Sequence, residues 1–247
     1  MRGRGVSTAV IAVAGALVVL PGCDRDGAAP RPPSPSPAPP DSSEPTASAT
    51  SARAPRAGPC GVERWDVKTG TDDAARGIDL GVAPPPTTVD ALRALAAPAI
   101  LDVHTPRMPA ERTLAELRDV RLVCVKREDD RDEHLVIEAR DEAVVEPTAD
   151  RGCKLLHDAP GLRTLVVEVP DPACLPEGHP WRERIAAVRT LVERETHPEP
   201  RARRVNRLVS LRGVTFFDVV HGQLGVAPNG VELHPVVAMC FGEGCAP

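Results

Sequence analysis

Thr164-Leu165-Val166-Val167-Glu168-Val169-Pro170, the run 180–196 and the run 205–217 decide the fold, because they read in turn as strand, helix and strand. The first is short, β-branched and apolar, and is stopped by a proline that cannot donate to a ladder. In the second, Pro180 suits the first position of a helix, and Trp181, Ile185, Val188 and Val192 recur at intervals of three and four, so one face is buried. The third is a long strand in which Gly213 marks a bend or bulge. Upstream, 112–126 carries Leu114, Leu117, Val120, Leu122 and Cys124, with alternation clear in its second half, and reads as a long strand. A charged turn at 128–133 and a strand at 134–138 complete a hairpin, and 147–162 is an insertion. Downstream, 231–241 is a fifth strand. Further upstream, 61–87 is rich in Gly and Pro and reads as an irregular lead-in, and Thr88 caps a short helix whose Val89, Leu92, Leu95 and Ala96 share a face. Three strands, a helix and two strands predict a mainly β domain: a five-stranded OB-like barrel with one helix between the third and fourth strands and a short N-terminal helix. An open α+β sheet would use the same elements.

Arg2 and Arg4, an apolar run from Val6 to Leu20 and then Leu20-Pro21-Gly22-Cys23 have the form of a bacterial lipoprotein signal. The apolar run is short for a membrane span. The expectation is a signal peptide at 1–23 with Cys23 lipidated, so that the chain is exported and anchored to a bacterial membrane, facing the periplasm or exterior. Residues 24–59 are rich in Pro, Ser and Ala and nearly lack large apolar side chains, which predicts a disordered linker holding the domain at 60–247 away from the bilayer.

The net charge of −5 becomes −7 once Arg2 and Arg4 are removed, which disfavours bulk attraction to nucleic acid or anionic lipid. Besides Cys23 there are six cysteines, at 60, 124, 153, 174, 240 and 245, and an even number in an exported chain argues for disulfides. Cys60 with Cys245 would staple the ends of the domain, and Cys153 with Cys174 would close a loop before the third long strand. A cysteine zinc site is the rival reading, but paired Cys-x-x-Cys spacing is missing.

Two loops carry chemical content, and in an OB barrel they are the connections that commonly bind ligands. The turn 128–134 concentrates five carboxylates and an imidazole; Asp132 and His134 could take part in holding a divalent cation, against the plainer reading of a solvated hairpin tip. The second loop runs His221-Gly222-Gln223-Leu224-Gly225-Val226-Ala227-Pro228-Asn229-Gly230, with Asn229-Gly230 a tight-turn signal before the last strand. Asp218, His221, Glu232 and His234 could converge there to bind metal or exchange protons, with Asn229 a further candidate ligand, or His221 could merely fix the loop.

The string Phe216-Phe217-Asp218 … His221-Gly222-Gln223 … Gly225-Val226-Ala227-Pro228-Asn229-Gly230-Val231-Glu232-Leu233-His234-Pro235-Val236 resembles a family of uncharacterised exported bacterial proteins. The resemblance takes in Glu63-Arg64-Trp65 … Val67-Lys68-Thr69-Gly70-Thr71-Asp72 and Asp132 … His134-Leu135-Val136, so it spans most of 61–241. Leu224 stands where the family has a small polar residue, and the insertion at 147–162 is atypical. The resemblance implies a domain boundary and no mechanism.

Three function classes follow. The first is a cell-envelope binding module for a protein, glycan or small ligand, needing no cofactor and touching the membrane through its lipid. The second is a metal-dependent, nuclease-like hydrolase using the His221–His234 loop, although nucleophile motifs and phosphate-cradling Gly loops are missing. The third is single-stranded nucleic-acid binding, disfavoured because the chain has no Tyr and few aromatics to stack bases on.

Overall fold

The computed structural model describes residues 59–139, 153, 163–220 and 222–247, so the expected signal peptide with Cys23, nearly all of the 24–59 linker, and His221 lie outside the described residues. The long strands stand close to where alternation places them: β2 Leu114–Arg127, β3 Glu133–Glu138, β4 Thr164–Val169, β5 Arg203–Phe217 and β6 Val231–Phe241. The long helix, α3, is Arg182–Thr196 and buries Ile185, Val188 and Val192. The short helix α2, Val89–Arg93, is capped by Thr88, whose Oγ1 accepts from the Ala91 amide at 3.0 Å.

The lead-in is more ordered than its Gly and Pro content suggests. It holds a one-turn helix, α1 Trp65–Thr69, a 3-10 turn at Asp73–Gly77, and a two-residue strand, β1 Pro86–Thr87, that pairs in parallel with β2. The sheet therefore has six strands rather than the five expected, in the order β1-β2-β3-β4-β6-β5, and a further β2–β5 pairing closes the five long strands into a ring of hydrogen bonds. Closure needs one parallel contact, between β4 and β6. It also needs bent strands: register shifts interrupt β2 between Leu117 and Val120 and between Leu122 and Cys124, and β5 shifts at Gly213, the bend read from sequence.

Strand alternation sorts the residues into two faces. Leu135 and Ile137 of β3, Leu165, Val167 and Val169 of β4, Leu211 and Phe217 of β5, and Val231 and Leu233 of β6 join α3 in the main apolar core. The intervening residues of the same strands, among them His134, Glu168, Phe216, Glu232 and His234, belong to the opposite face, yet they too are buried. Something must cover them, and that cover makes the site.

Three disulfides join Cys60 to Cys174, Cys124 to Cys153 and Cys240 to Cys245. The expected pairs Cys60–Cys245 and Cys153–Cys174 are corrected. After β6 the chain reverses through Gly242 and Gly244, both with positive φ, and returns Cys245 to Cys240 at a Cα separation of 6.1 Å. Cys60 is instead carried across the sheet to the 3-10 turn Pro172–Cys174 after β4.

Candidate functional site

The floor of the site is the face of the sheet turned away from the main core. His134 on β3 and Glu168 on β4 are direct cross-strand partners, and Glu232 on β6 stands opposite Phe216 on β5. Two segments roof this floor. One is the lead-in, which brings Lys68 on α1; the other is the loop between β5 and β6, which brings Asp218 and the Leu224 carbonyl. The turn before β3 supplies Asp132 from the side.

Both roof segments are anchored by buried polar contacts. Arg64 pairs with Glu111 at 2.7 Å, and its Nη1 donates to the Phe217 carbonyl at 2.6 Å; Glu111 also accepts from the Phe217 amide at 2.9 Å and the Met108 amide at 2.7 Å. Asn229, expected as a ligand, is structural instead: its amide donates to the carbonyls of Leu92 and Leu95 at 3.0 Å each, and its Oδ1 accepts from the Val231 amide, fixing the turn against α2. Gly225 has φ +78°, and a Cβ there would stand 2.3 Å from Val136 Cγ1, so the loop can lie on β3 only because this residue is glycine. Gly225→Ala is therefore expected to cost about 3 kcal/mol from strained backbone and overpacking together, read as a lower urea midpoint at unchanged slope.

Among the described residues, seven ionisable side chains meet under this roof: Lys68, Asp132, His134, Glu168, Asp218, Glu232 and His234, with exposures from 0% at Asp132 and His234 to 8% at Lys68. Glu168 is the hub. Its Oε1 lies 2.7 Å from His134 Nδ1, and its Oε2 lies 3.2 Å from His234 Nε2 and 3.9 Å from Lys68 Nζ. Lys68 Nζ is also 3.8 Å from Asp218 Oδ2 and 5.5 Å from the centre of the Phe216 ring. His234 Nε2 is 3.1 Å from Asp132 Oδ2. Each imidazole has its other nitrogen on a backbone carbonyl, His134 Nε2 on Leu224 O at 2.8 Å and His234 Nδ1 on Lys68 O at 3.0 Å. A carbonyl only accepts, so those nitrogens carry hydrogens and the remaining nitrogen of each ring faces a carboxylate.

The charges adjust to one another. Burial alone would lower both imidazoles, but the hydrogen bonds and charges of Glu168, joined at His234 by Asp132, outweigh it and raise each to about 9. Burial would raise Glu168, but Lys68 and the two imidazoles hold it well below the usual carboxylate range. Burial would likewise lower Lys68, and its carboxylate neighbours overcome that and raise it. Glu232 is pushed well above the usual range by burial and by the charges of Glu168 and Asp218, and Asp132 is raised by burial. Among the described residues, both carboxylate oxygens of Glu232 and Oδ1 of Asp132 are buried without a hydrogen-bond partner. Orphaned buried oxygens of this kind are rare and are met by a water or an ion.

Asp132, Glu168 and His234 can each offer one ligand atom, all within 4.8 Å of one another. The two spacings from His234 Nε2, 3.1 and 3.2 Å, are close to the edge of about 3.4 Å expected for a tetrahedron with 2.1 Å bonds. The Lys68 carbonyl holds the Nδ1 hydrogen of His234, so an ion would take the place of the proton on Nε2, and His134 orients Glu168 from behind, as outer-shell partners do around metals.

Of the residues singled out from sequence, Asp132, His134, Asp218, Glu232 and His234 thus come together; Asn229 does not, and His221 lies outside the described residues. The charged turn is not merely a solvated tip, since Asp132 and Glu133 are fully buried. Sequence reasoning missed Glu168 and Lys68. A signal for Glu168 was present, the one charge inside an apolar strand; for Lys68 there was only its rarity, as one of three lysines, with 126 and 154, among 30 basic residues. Comparison with family models, curated proteins and solved structures finds no match to the chain.

Proposed function

We propose that the chain is an exported lipoprotein, anchored through Cys23 and linker 24–59, whose domain is a binding module for a divalent transition-metal ion held by Asp132, Glu168 and His234. The strand order, the parallel closure of β4 on β6 and the helix between β4 and β5 support reading the ring as an OB-type barrel. Among the described residues no helix is long and apolar enough to cross a membrane, and the disulfides are compatible with an oxidising compartment.

The observation that carries the metal reading is the convergence of three ligand atoms beside buried oxygens that have no partner. One imidazole with carboxylates suits zinc, manganese or iron(II) better than calcium, which wants six or more oxygens. Burial favours holding an ion over hydrolysing a polymer, because a phosphodiester cannot reach ligand atoms under a closed roof. Trp181, Phe216 and Phe217 are buried as well and give nucleic-acid bases nothing to stack on.

Zinc at about 100 times its dissociation constant should stabilise the chelator-treated chain by about 2.7 kcal/mol, a rise in Tm of about 5–10 °C for a domain of this size. Calcium should give none, and His234→Ala should remove the zinc response. A melting curve that does not move with zinc, manganese or iron(II) would sink the reading.

A further inference from the structure

We infer that Lys68 is a tethered competitor for the metal site: its ammonium serves the same carboxylates that would hold the ion, and so sets how tightly the ion binds. This rests on the metal reading above and adds the residue that tunes it. The argument begins with one oxygen. Glu168 Oε2 lies 3.2 Å from His234 Nε2 and 3.9 Å from Lys68 Nζ, so an atom of the ligand set also faces the ammonium. An ion bonded to that oxygen at about 2.1 Å would lie within roughly 6 Å of Nζ. Two cations that close, in a site where water does not screen them, repel strongly.

Lys68 is built in rather than incidental. Its ammonium lies 5.5 Å from the centre of the Phe216 ring and also faces Asp218, and its own carbonyl holds His234 Nδ1, so one residue both orients a ligand and opposes the ion. Without it, the carboxylates of Asp132, Glu168, Asp218 and Glu232 would face two imidazoles alone. The ammonium therefore balances the cluster when no ion is bound. Its retreat toward Asp218, away from Glu168 Oε2, would make room for one. It arrives from α1, a single helical turn bounded by left-handed residues Arg64 and Gly70.

The test is a zinc titration of the unsubstituted chain and of Lys68→Met and Lys68→Gln, in competition with a chromophoric chelator, with zinc alone as the probe. Both variants keep the stem and the backbone carbonyl and remove only the charge, and both are expected to bind zinc at least tenfold more tightly. The three lysines also permit a measurement on the unsubstituted chain: with 15N-lysine, zinc should shift the Lys68 ammonium signal and leave that of Lys126 in place. Equal or weaker affinity in the variants, with zinc still binding the unsubstituted chain, overturns the inference and leaves the metal site standing. Zinc binding to none of the three removes the site and the inference with it. If the variants fail to fold, the labelled chain decides, and a Lys68 signal unmoved by saturating zinc counts against the inference.

Discussion

Glu168→Ala is expected to lower the Tm of the metal-free chain by about 10 °C and to abolish zinc binding. The carboxylate is approached at once by His134, His234 and Lys68, and removing it takes from three buried cations the partner they share. Breaking a buried charge pair by deleting one partner costs about 3–5 kcal/mol, and each kcal/mol is worth about 2–4 °C in a domain of this size. Glu168→Gln should lose the same zinc affinity with a smaller drop in Tm, because its amide oxygen still accepts from an imidazole. A melting temperature within 3 °C of the unsubstituted chain in Glu168→Ala would show that the cluster does not depend on this hub.

The metal-free chain is expected to lose stability as pH rises from 6.5 to 9, by on the order of 3 kcal/mol for each imidazole. His134 and His234 are raised in the folded state from an ordinary 6.5 to about 9, so the stability they contribute is fully present below 6.5 and gone above 9. Glu133 acts in the same direction: burial raises it from 4.5 to about 7 against the pull of Arg189, so its ionisation above 4.5 also disfavours the fold. At the acid end the sign reverses. Glu168 is held well below the usual range, and its contribution is lost as pH falls below about 4.5. Stability should therefore peak at about pH 4.5, above which the raised carboxyl of Glu133 already begins to lose its contribution. Saturating zinc should flatten the alkaline decline, since an ion on His234 Nε2 replaces the proton. Urea midpoints from pH 5 to 9, with and without zinc, measure both effects, and a flat metal-free curve across 6.5–9 would rule out the imidazolium–carboxylate account.

Much of the architecture was legible because it is local. Alternation late in 112–126, the apolar β-branched run at 164–169 and the three-and-four spacing of Trp181, Ile185, Val188 and Val192 are properties of short windows, and strands and helix appear where those windows place them. Thr88 caps and Gly213 shifts register for equally local reasons, a hydroxyl within reach of an amide and a missing Cβ. The strand β1 escaped because two residues with proline have no periodicity of their own and pair only because β2 passes beside them. The disulfide partners escaped because six cysteines in one chain carry no local mark of which meets which.

The site divides along the same line. Alone, the sequence determined which residue types stood at Asp132, His134, Asp218, Glu232 and His234, and that alternate residues of β3, β4 and β6 must share a face. Only the tertiary structure decided that this face would be covered, that Glu168 would become its hub, and that His234 would meet the carbonyl of Lys68 across 166 residues of chain. Ring closure brings the faces of distant strands together, and the roof that buries them is folded from segments whose own composition favours neither helix nor strand. Convergence over such separations is set by packing of the whole domain, which no window of sequence contains.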